Sequence, residues 1–442
     1  MRILLIVLSS LIAMPLFAEP EDELKSLSIK ELMNIPLERD RGSMVITQPD
    51  NNKMATDTIH FAILAPISSF PVYSGEIIAA ADVATEWINR HGGIRGKRLV
   101  VLRADDEENT PVSARLAHTL ITDYDVQALV GPATSNSVED VLKKVAIPKK
   151  IPLITQAASA VELAHLSKQQ LFWRMVANNE QQVTFIHQFL TEQMNHRKLY
   201  VVAGRDLYSQ ELLAGLENKM TGVAGGVIEH LSLSHLVYLE GMNLQEEVNR
   251  IQDSGATAIV ITLPTAQMNA MLKKIRTHWR GDLPLILAAD TVKPKYIRDA
   301  ELGTIAQCIY TYVASPADLN PTLRDSIKAL LNRDSAGFDA AYVHDAVVLL
   351  AMANTLVAEF NIDYKDAMQA LTGTGQTISH KDYQNISALY KKHGQLQYSG
   401  FSGRIQFNEF GENLAAQLKI YSIADSSQKP LPCNKPMVNS GP

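Results

Sequence analysis

Nine short apolar runs punctuate this chain between His60 and Ala314. They are "HFAILAP", "RLVVLRAD", "VQALVGP", "IPLITQA", "KLYVVAG", "GVIEHLSL", "ATAIVITL", "LPLILAAD" and "CIYTYVA". Between them lie segments with apolar residues at helical spacing, such as Gly75–His91 and Val112–Tyr124. Near-continuous Val/Ile/Leu strands predict a parallel sheet covered on both faces. Strand–helix alternation of this kind predicts a doubly wound α/β fold. There are too many strand–helix units for one small sheet, so two lobes are expected. No internal repeat or low-complexity tract stands out.

The 442 residues suit two or three domains, and 46% apolar with 20% charged residues is an ordinary globular balance. A formal charge of −6 offers no long-range attraction to nucleic acid or anionic lipid. Met1–Arg2, the run "ILLIVLSSLIAMPLF" and Ala18 read as a secretory signal over residues 1–18, although Leu16 sits where a small residue is preferred. An uncleaved anchor is the alternative. No cysteine lies near the signal, which excludes a lipid-modified N-terminal cysteine. No later run approaches about 18 consecutive apolar residues, so the mature chain is expected to be soluble. The two cysteines, Cys308 and Cys433, fit one optional disulfide pinning the 426–442 tail to the strand around Cys308. They fit neither a disulfide framework nor a zinc site.

Residues 19–57 read as a separate, largely flexible leader. "ELKSLSIKELMNI" places Leu24, Leu27, Leu32 and Ile35 at spacing suited to one short amphipathic helix, and a polar, turn-rich linker follows. "LKSLSIKELMNIPL" also resembles the short motif at the mature N-terminus of many TonB-dependent outer-membrane receptors. That resemblance implies a docking peptide for an envelope partner.

The stretch "WINRHGGIRGKRLVVLRADDEENTP" has the glycines of a phosphate loop but the wrong order. A phosphate loop follows a strand and opens a helix, so that free N–H groups meet the anion. Here the helical pattern of Ala80–Arg90 comes first and the strand "RLVVLRAD" comes after. Gly92 therefore reads as a left-handed helix cap, with Gly93 and Gly96 shaping a short connection. The same turn carries a resemblance. "INRHGGIRGKRLVVLRADDEENTPVSA" is similar to a stretch of the type I periplasmic binding proteins, nearest the leucine/isoleucine/valine-binding branch. "IHFAILAPISSFPVYSGE", "VQALVGPATSNSV", "IPLITQAASAVEL" and "FSGRIQFNEFGENL" agree with it in order and spacing, over roughly residues 58–425. The resemblance implies two doubly wound parallel-sheet lobes joined by a multi-strand hinge. Lobe 1 would be 58–178 plus 313–398, and lobe 2 would be 179–312 plus 399–425. It implies a periplasmic monomer that captures a small ligand, an α-amino acid first, for the permease of an ABC importer. A ligand-sensing regulatory module on the same fold is the alternative.

Ligands of open α/β sheets bind beyond the carboxyl ends of the strands. Three strand ends here stand out. The first is "GPATSNS", where Thr134 and Ser135 open a helix and suit a carboxylate, although a serine here also suits capping its own helix. The second is "TQAASAVEL", where Ala157, Ala158 and Ser159 let a ligand approach the backbone. The third is Asp290 after "LPLILAA". The resemblance implies that Ser135 binds a ligand carboxylate, that Ala157–Ser159 meet the amino-acid head group, and that Asp290 pairs with the ammonium. Tyr73, in the loop after the first strand, and Tyr208, at the start of a helix, align with ligand-contacting tyrosines. Departures weaken a leucine pocket: Pro264 replaces an aromatic, and Thr134 and Glu108 stand where the branch has a cysteine pair.

No catalytic constellation was found: G-x-S-x-G, H-E-x-x-H and C-x-x-C are all lacking. His344 beside Asp345 reads as a structural histidine. The acids of "RADDEEN" read as a solvated loop without the oxygen spacing of a calcium site. The expectation is a binding protein without enzymatic turnover, cofactor or metal.

Overall fold

The computed structural model describes residues 57–166, 171–224, 226–233, 245–263, 265–290, 302–314, 320–332, 337 and 339–424. The signal, the 19–57 leader short of its last residue, Pro264 and Cys433 lie outside them. Cys308 is disulfide-bonded.

The chain runs β1 (Thr58–Ala65), α1 (Pro71–Arg90), β2 (Arg98–Asp105), α2 (Thr110–Asp123), β3 (Val126–Val130), α3 (Ser135–Val141), β4 (Leu153–Thr155), α4 (Glu162–Leu166) and β5 (Phe172–Arg174). It continues through α5 (Asn179–His187), β6 (Lys198–Gly204), α6 (Leu207–Thr221), β7 (Val227–Leu233), α7 (Gln245–Asp253), β8 (Ala258–Thr262), α8 (Thr265–His278), β9 (Leu285–Ala288) and β10 (Ile309–Ala314). The remainder is α9 (Pro321–Leu331), α10 (Asp339–Phe360), α11 (Tyr364–Leu371), β11 (Gln376–Ile378), α12 (Ile386–His393), β12 (Leu396–Gly400), β13 (Gly403–Arg404) and β14 (Leu418–Ser422).

Two sheets organise these elements. The first has the order β2-β1-β3-β4-β5 and is parallel throughout. The second has the order β14-β10-β9-β8-β6-β7, parallel except where β14 pairs with β10. Counted from its own first strand, the second sheet repeats the 2-1-3-4-5 order of the first. Each sheet therefore has a switch point, between β1 and β3 and between β6 and β8, where a crevice opens at the strands' carboxyl ends. The two lobes are the expected doubly wound α/β units. β11, β12 and β13 form a small third sheet.

Every residue of β8 and β9 is buried, as strands covered on both faces must be. The first core joins β1 residues Phe61 and Ile63 to α10 residues Val347 and Leu350 and extends to Ile405 and Phe407. The second sheet has a core on each face, one around Val202 and Ile261, the other around Val201 and Val260. α10 is long and apolar enough to cross a membrane, but 89% of its most apolar window is buried, because it packs on α1 in the first core.

The glycine-rich turn is the expected helix stop. His91 caps α1, and Gly92 and Gly93 follow at φ 94° and 65°. The Gly93 N–H donates to the Ile88 carbonyl at 2.9 Å and the Gly92 N–H to Asn89 at 3.3 Å, the two bonds of a Schellman motif. A Cβ on Gly93 would sit 2.1 Å from the Lys97 carbonyl oxygen, so the position also needs glycine for space. The start of α1 departs from expectation. The helix begins at Pro71, whose fixed φ suits a first turn. Tyr73 is thus in that first turn, not in the preceding loop.

Between the sheets the chain segments lie side by side. The Arg174 N–H donates to the Gly411 carbonyl at 2.9 Å, and Asn413 Nδ2 donates to the Met175 carbonyl at 2.8 Å. Asn178, which caps α5 in a reciprocal box with Gln181, also donates to Glu412 Oε1 at 2.7 Å.

Candidate functional site

Loops beyond the carboxyl ends of β1, β3 and β4 supply one wall. Thr134 caps α3, its hydroxyl accepting from the Ser137 N–H at 3.4 Å. The cap is therefore neither Ser135 nor Ser137. Ser135, 4% exposed, accepts from the Ala160 N–H at 3.2 Å. Accepting that bond leaves the Ser135 O–H itself as a donor. After β4, Thr155 Oγ1 donates to the Pro132 carbonyl at 2.8 Å and accepts from Ala158 N at 3.1 Å, tying the β4 loop to the β3 loop. Ala158 and Ser159 are buried and Ala157 is half-buried. The Ser159 hydroxyl is engaged, donating to Asn179 Oδ1 at 2.7 Å. Gln156 Nε2 donates to the Tyr73 hydroxyl at 3.3 Å, which brings the β1 and β4 sides together.

The second sheet supplies the facing wall. Tyr208 is in the first turn of α6, after β6, and Asp290 follows β9. The Tyr208 hydroxyl donates to Asp290 Oδ1 at 2.6 Å. Tyr312, on β10, donates to Gln182 Oε1 at 2.8 Å and lies 3.3 Å from the Tyr208 hydroxyl. Burial, followed by the Asp290 carboxylate, pushes both phenols well above their ordinary value, so both remain neutral.

The walls touch. The Leu207 N–H donates to Asn136 Oδ1 on α3 at 3.1 Å. The Glu211 carboxylate on α6 accepts from the Val161 N–H at 2.7 Å, from Glu162 at 3.1 Å and from Asn179 Nδ2 at 2.9 Å. Asn179 also donates to the Tyr208 carbonyl at 3.3 Å. Gln156, Asn179, Gln182, Glu211 and Tyr312 join the arrangement without any sequence expectation. Gln156 and Tyr312 stand next to, or on, strands that were legible. Only the tertiary fold brings Asn179 and Glu211 in.

His344 and Asp345 lie in the first core. Asp345 Oδ1 sits 3.0 Å from His344 Nδ1, and the carboxylate accepts from Tyr398, Phe401 and Ser402, a saturated structural network.

A family model described as "Periplasmic binding protein" matches residues 58–377. The chain belongs to the periplasmic binding protein family. Among relatives of this periplasmic binding protein, the Leu/Ile/Val-binding protein homolog 3 of Brucella melitensis is 23% identical over 282 residues, covering 62% of this chain and 72% of that one. The substrate-binding protein LivJ from Streptococcus pneumoniae, solved with isoleucine, superposes with a TM-score of 0.63 at 19% identity, covering 82% of this chain and 95% of that one. A solute-binding protein of R. palustris, solved with benzoate, also superposes at 0.63, with 15% identity and 84% and 94% coverage.

Proposed function

We propose that this periplasmic binding protein captures a small α-amino acid between its two sheets and presents it to the permease of an ABC importer, without turnover. The observation that carries the reading is the Tyr208–Asp290 pair, held at 2.6 Å opposite the Ser135 and Ala157–Ser159 loops. In this reading Asp290 takes the ligand ammonium, and the Ser135 hydroxyl takes its carboxylate. Thr134 and the backbone of Ala157, Ala158 and Ser159 line the head group, and Tyr73 and Tyr208 cover the ligand's body with apolar area. The lobes move against each other, the first-sheet lobe keeping Ile405 and Phe407 in its core and the second-sheet lobe keeping β14, in a monomer delivered to the periplasm by residues 1–18. The solved relatives support the head-group half: isoleucine and benzoate share a carboxylate.

The test is a thermal-shift screen against the twenty amino acids and small organic acids. Ligand at about 100 times its dissociation constant stabilises by roughly 2.7 kcal/mol. An α-amino acid should raise the melting temperature, and Asp290→Ala should abolish the rise. A rise from benzoate-like acids alone, unaffected by Asp290→Ala, would overturn the amino-acid reading.

A further inference from the structure

Two asparagines in succession, Asn178 and Asn179, stand where the chain first passes from one sheet to the other. β5 ends in the first sheet at Arg174, and α5 packs Val183 and Ile186 into a core of the second. Asparagine is a poor helix former but a good cap. A helix start takes one such cap, and Asn178 supplies it in its box with Gln181. Asn178 also reaches the segment around Glu412. Asn179 has no capping work, yet it is 1% exposed, so its amide needs partners within the fold.

The partners come from both walls. The Asn179 N–H donates to the Ser159 carbonyl at 2.8 Å, and Asn179 Oδ1 accepts from the Ser159 hydroxyl at 2.7 Å. On the other side, Nδ2 donates to Glu211 Oε2 at 2.9 Å and to the Tyr208 carbonyl at 3.3 Å. Only the NH2 end of an amide can serve two acceptors, which fixes the orientation of the group. That orientation in turn makes the Ser159 hydroxyl the donor to Oδ1.

What this amide joins is the rest of the site. Ser159 belongs to the β4 loop, whose neighbouring residues are held as well. Arg174 Nη1 donates to the Ala158 carbonyl at 3.4 Å, Ser135 receives the Ala160 N–H at 3.2 Å, and Glu211 receives the Val161 and Glu162 N–H groups. Tyr208 and Glu211 belong to α6 on the second sheet, and the Tyr208 hydroxyl is the one on Asp290. Asn179 bridges the two sides at the crossover itself, next to the connection about which the sheets turn.

We propose that Asn179 is a positioning residue of the cleft. Its one side chain sets the Ser159 loop of the first wall against Tyr208 and Glu211 of the second, so that the crossover and both walls close as one unit. The inference rests on the cleft reading above and adds the residue that holds its two halves in register.

The test is hydrogen–deuterium exchange of the mature chain without ligand, alongside Asn179→Ala and Asn179→Asp, at pH 8 and pH 5. Asn179→Asp keeps the acceptor for Ser159 and sets a second carboxylate against Glu211. At pH 8 that like charge should part α6 from the loop, and protection of the Val161 and Glu162 amides should fall about tenfold or more. Burial and like charge favour a shared proton between such a pair as pH falls, which restores a donor between them. At pH 5 the protection in Asn179→Asp should therefore return to the parent's level. Asn179→Ala should stay about tenfold below the parent at both pH values. β8 and β9 should keep parental protection in both variants. Parental protection of Val161 and Glu162 in Asn179→Ala would overturn the proposal. So would a deficit in Asn179→Asp that is the same at pH 5, or a loss spread equally over β8 and β9, which marks a general stability role. No ligand enters these measurements, so the thermal-shift screen still decides the cleft reading separately.

Discussion

Burial, with the neighbouring His344 ring, holds the His380 imidazole down at about 4. Its ring packs against Phe401, Trp87 and His344 at centroid distances of 4.7, 5.1 and 5.6 Å. An unfolded histidine titrates near 6.5, so between about 6.5 and 4 the unfolded chain binds a proton that the folded chain refuses. This group's contribution is therefore fully present above about pH 6.5 and is lost as pH falls through 4. The size is roughly 1–3 kcal/mol. Asp106 has the opposite sign: burial pushes it up to about 6, so the folded chain holds the extra proton and stability falls as pH rises towards that value. Denaturant melts of His380→Phe should show a flatter loss of stability between pH 6.5 and 4 than the parent. An unchanged pH profile would show that the buried ring does not govern it. None of this could be read in the sequence, where twelve histidines are scattered without pattern. The residues that were legible, Ser135 and Asp290 among them, stand at ends of strong apolar strands. Gln156, Gln182 and Glu211 carry no such marker, because the partners that tie them into the site lie 26 or more residues away.

Among the elements, periodicity decided what could be foreseen. The long apolar strands and the amphipathic helices were visible. β5, β11 and β13, two or three residues each, are too short to show any period, and β14 pairs antiparallel at an edge with only Tyr421 and Ser422 buried. α1 starts earlier than its apolar spacing suggests because proline suits a first turn. The β5 end carries a buried cation. Arg174 is fully buried, lies 5.3 Å over the Phe172 ring, and is lowered to about 10 by burial against the opposing pull of Glu412 and Glu211. Removing one partner of a buried ion pair leaves the other charge uncompensated, which costs roughly 3–5 kcal/mol. Arg174→Met should therefore destabilise by about 3 kcal/mol in urea, and adding Glu412→Gln should restore part of the loss. Additive losses in the double variant would mean that the two side chains do not act as a pair.

The whole fold repeats one strand order in two sheets without a repeated sequence, since packing asks only for apolar strands and capped helices in the same succession. What joins the two walls is a small polar set on α6. Glu211 receives two backbone N–H groups from the β4 side, and Leu207 donates to Asn136. These bonds exist only when the walls are together, so a ligand that bridges Ser135 and Asp290 and the Glu211 contacts favour the same arrangement. Hydrogen bonds to a charged group contribute about 1.5–3 kcal/mol. Glu211→Ala should then lower ligand affinity by roughly ten- to a hundredfold, although Glu211 touches no proposed ligand atom. Small-angle scattering distinguishes this from a local defect. The parent chain should compact on saturation with ligand, and Glu211→Ala should be more expanded without ligand yet reach the same dimension at saturation. A variant equal to the parent in both states, with equal affinity, would mean that closure is set by the ligand contacts alone.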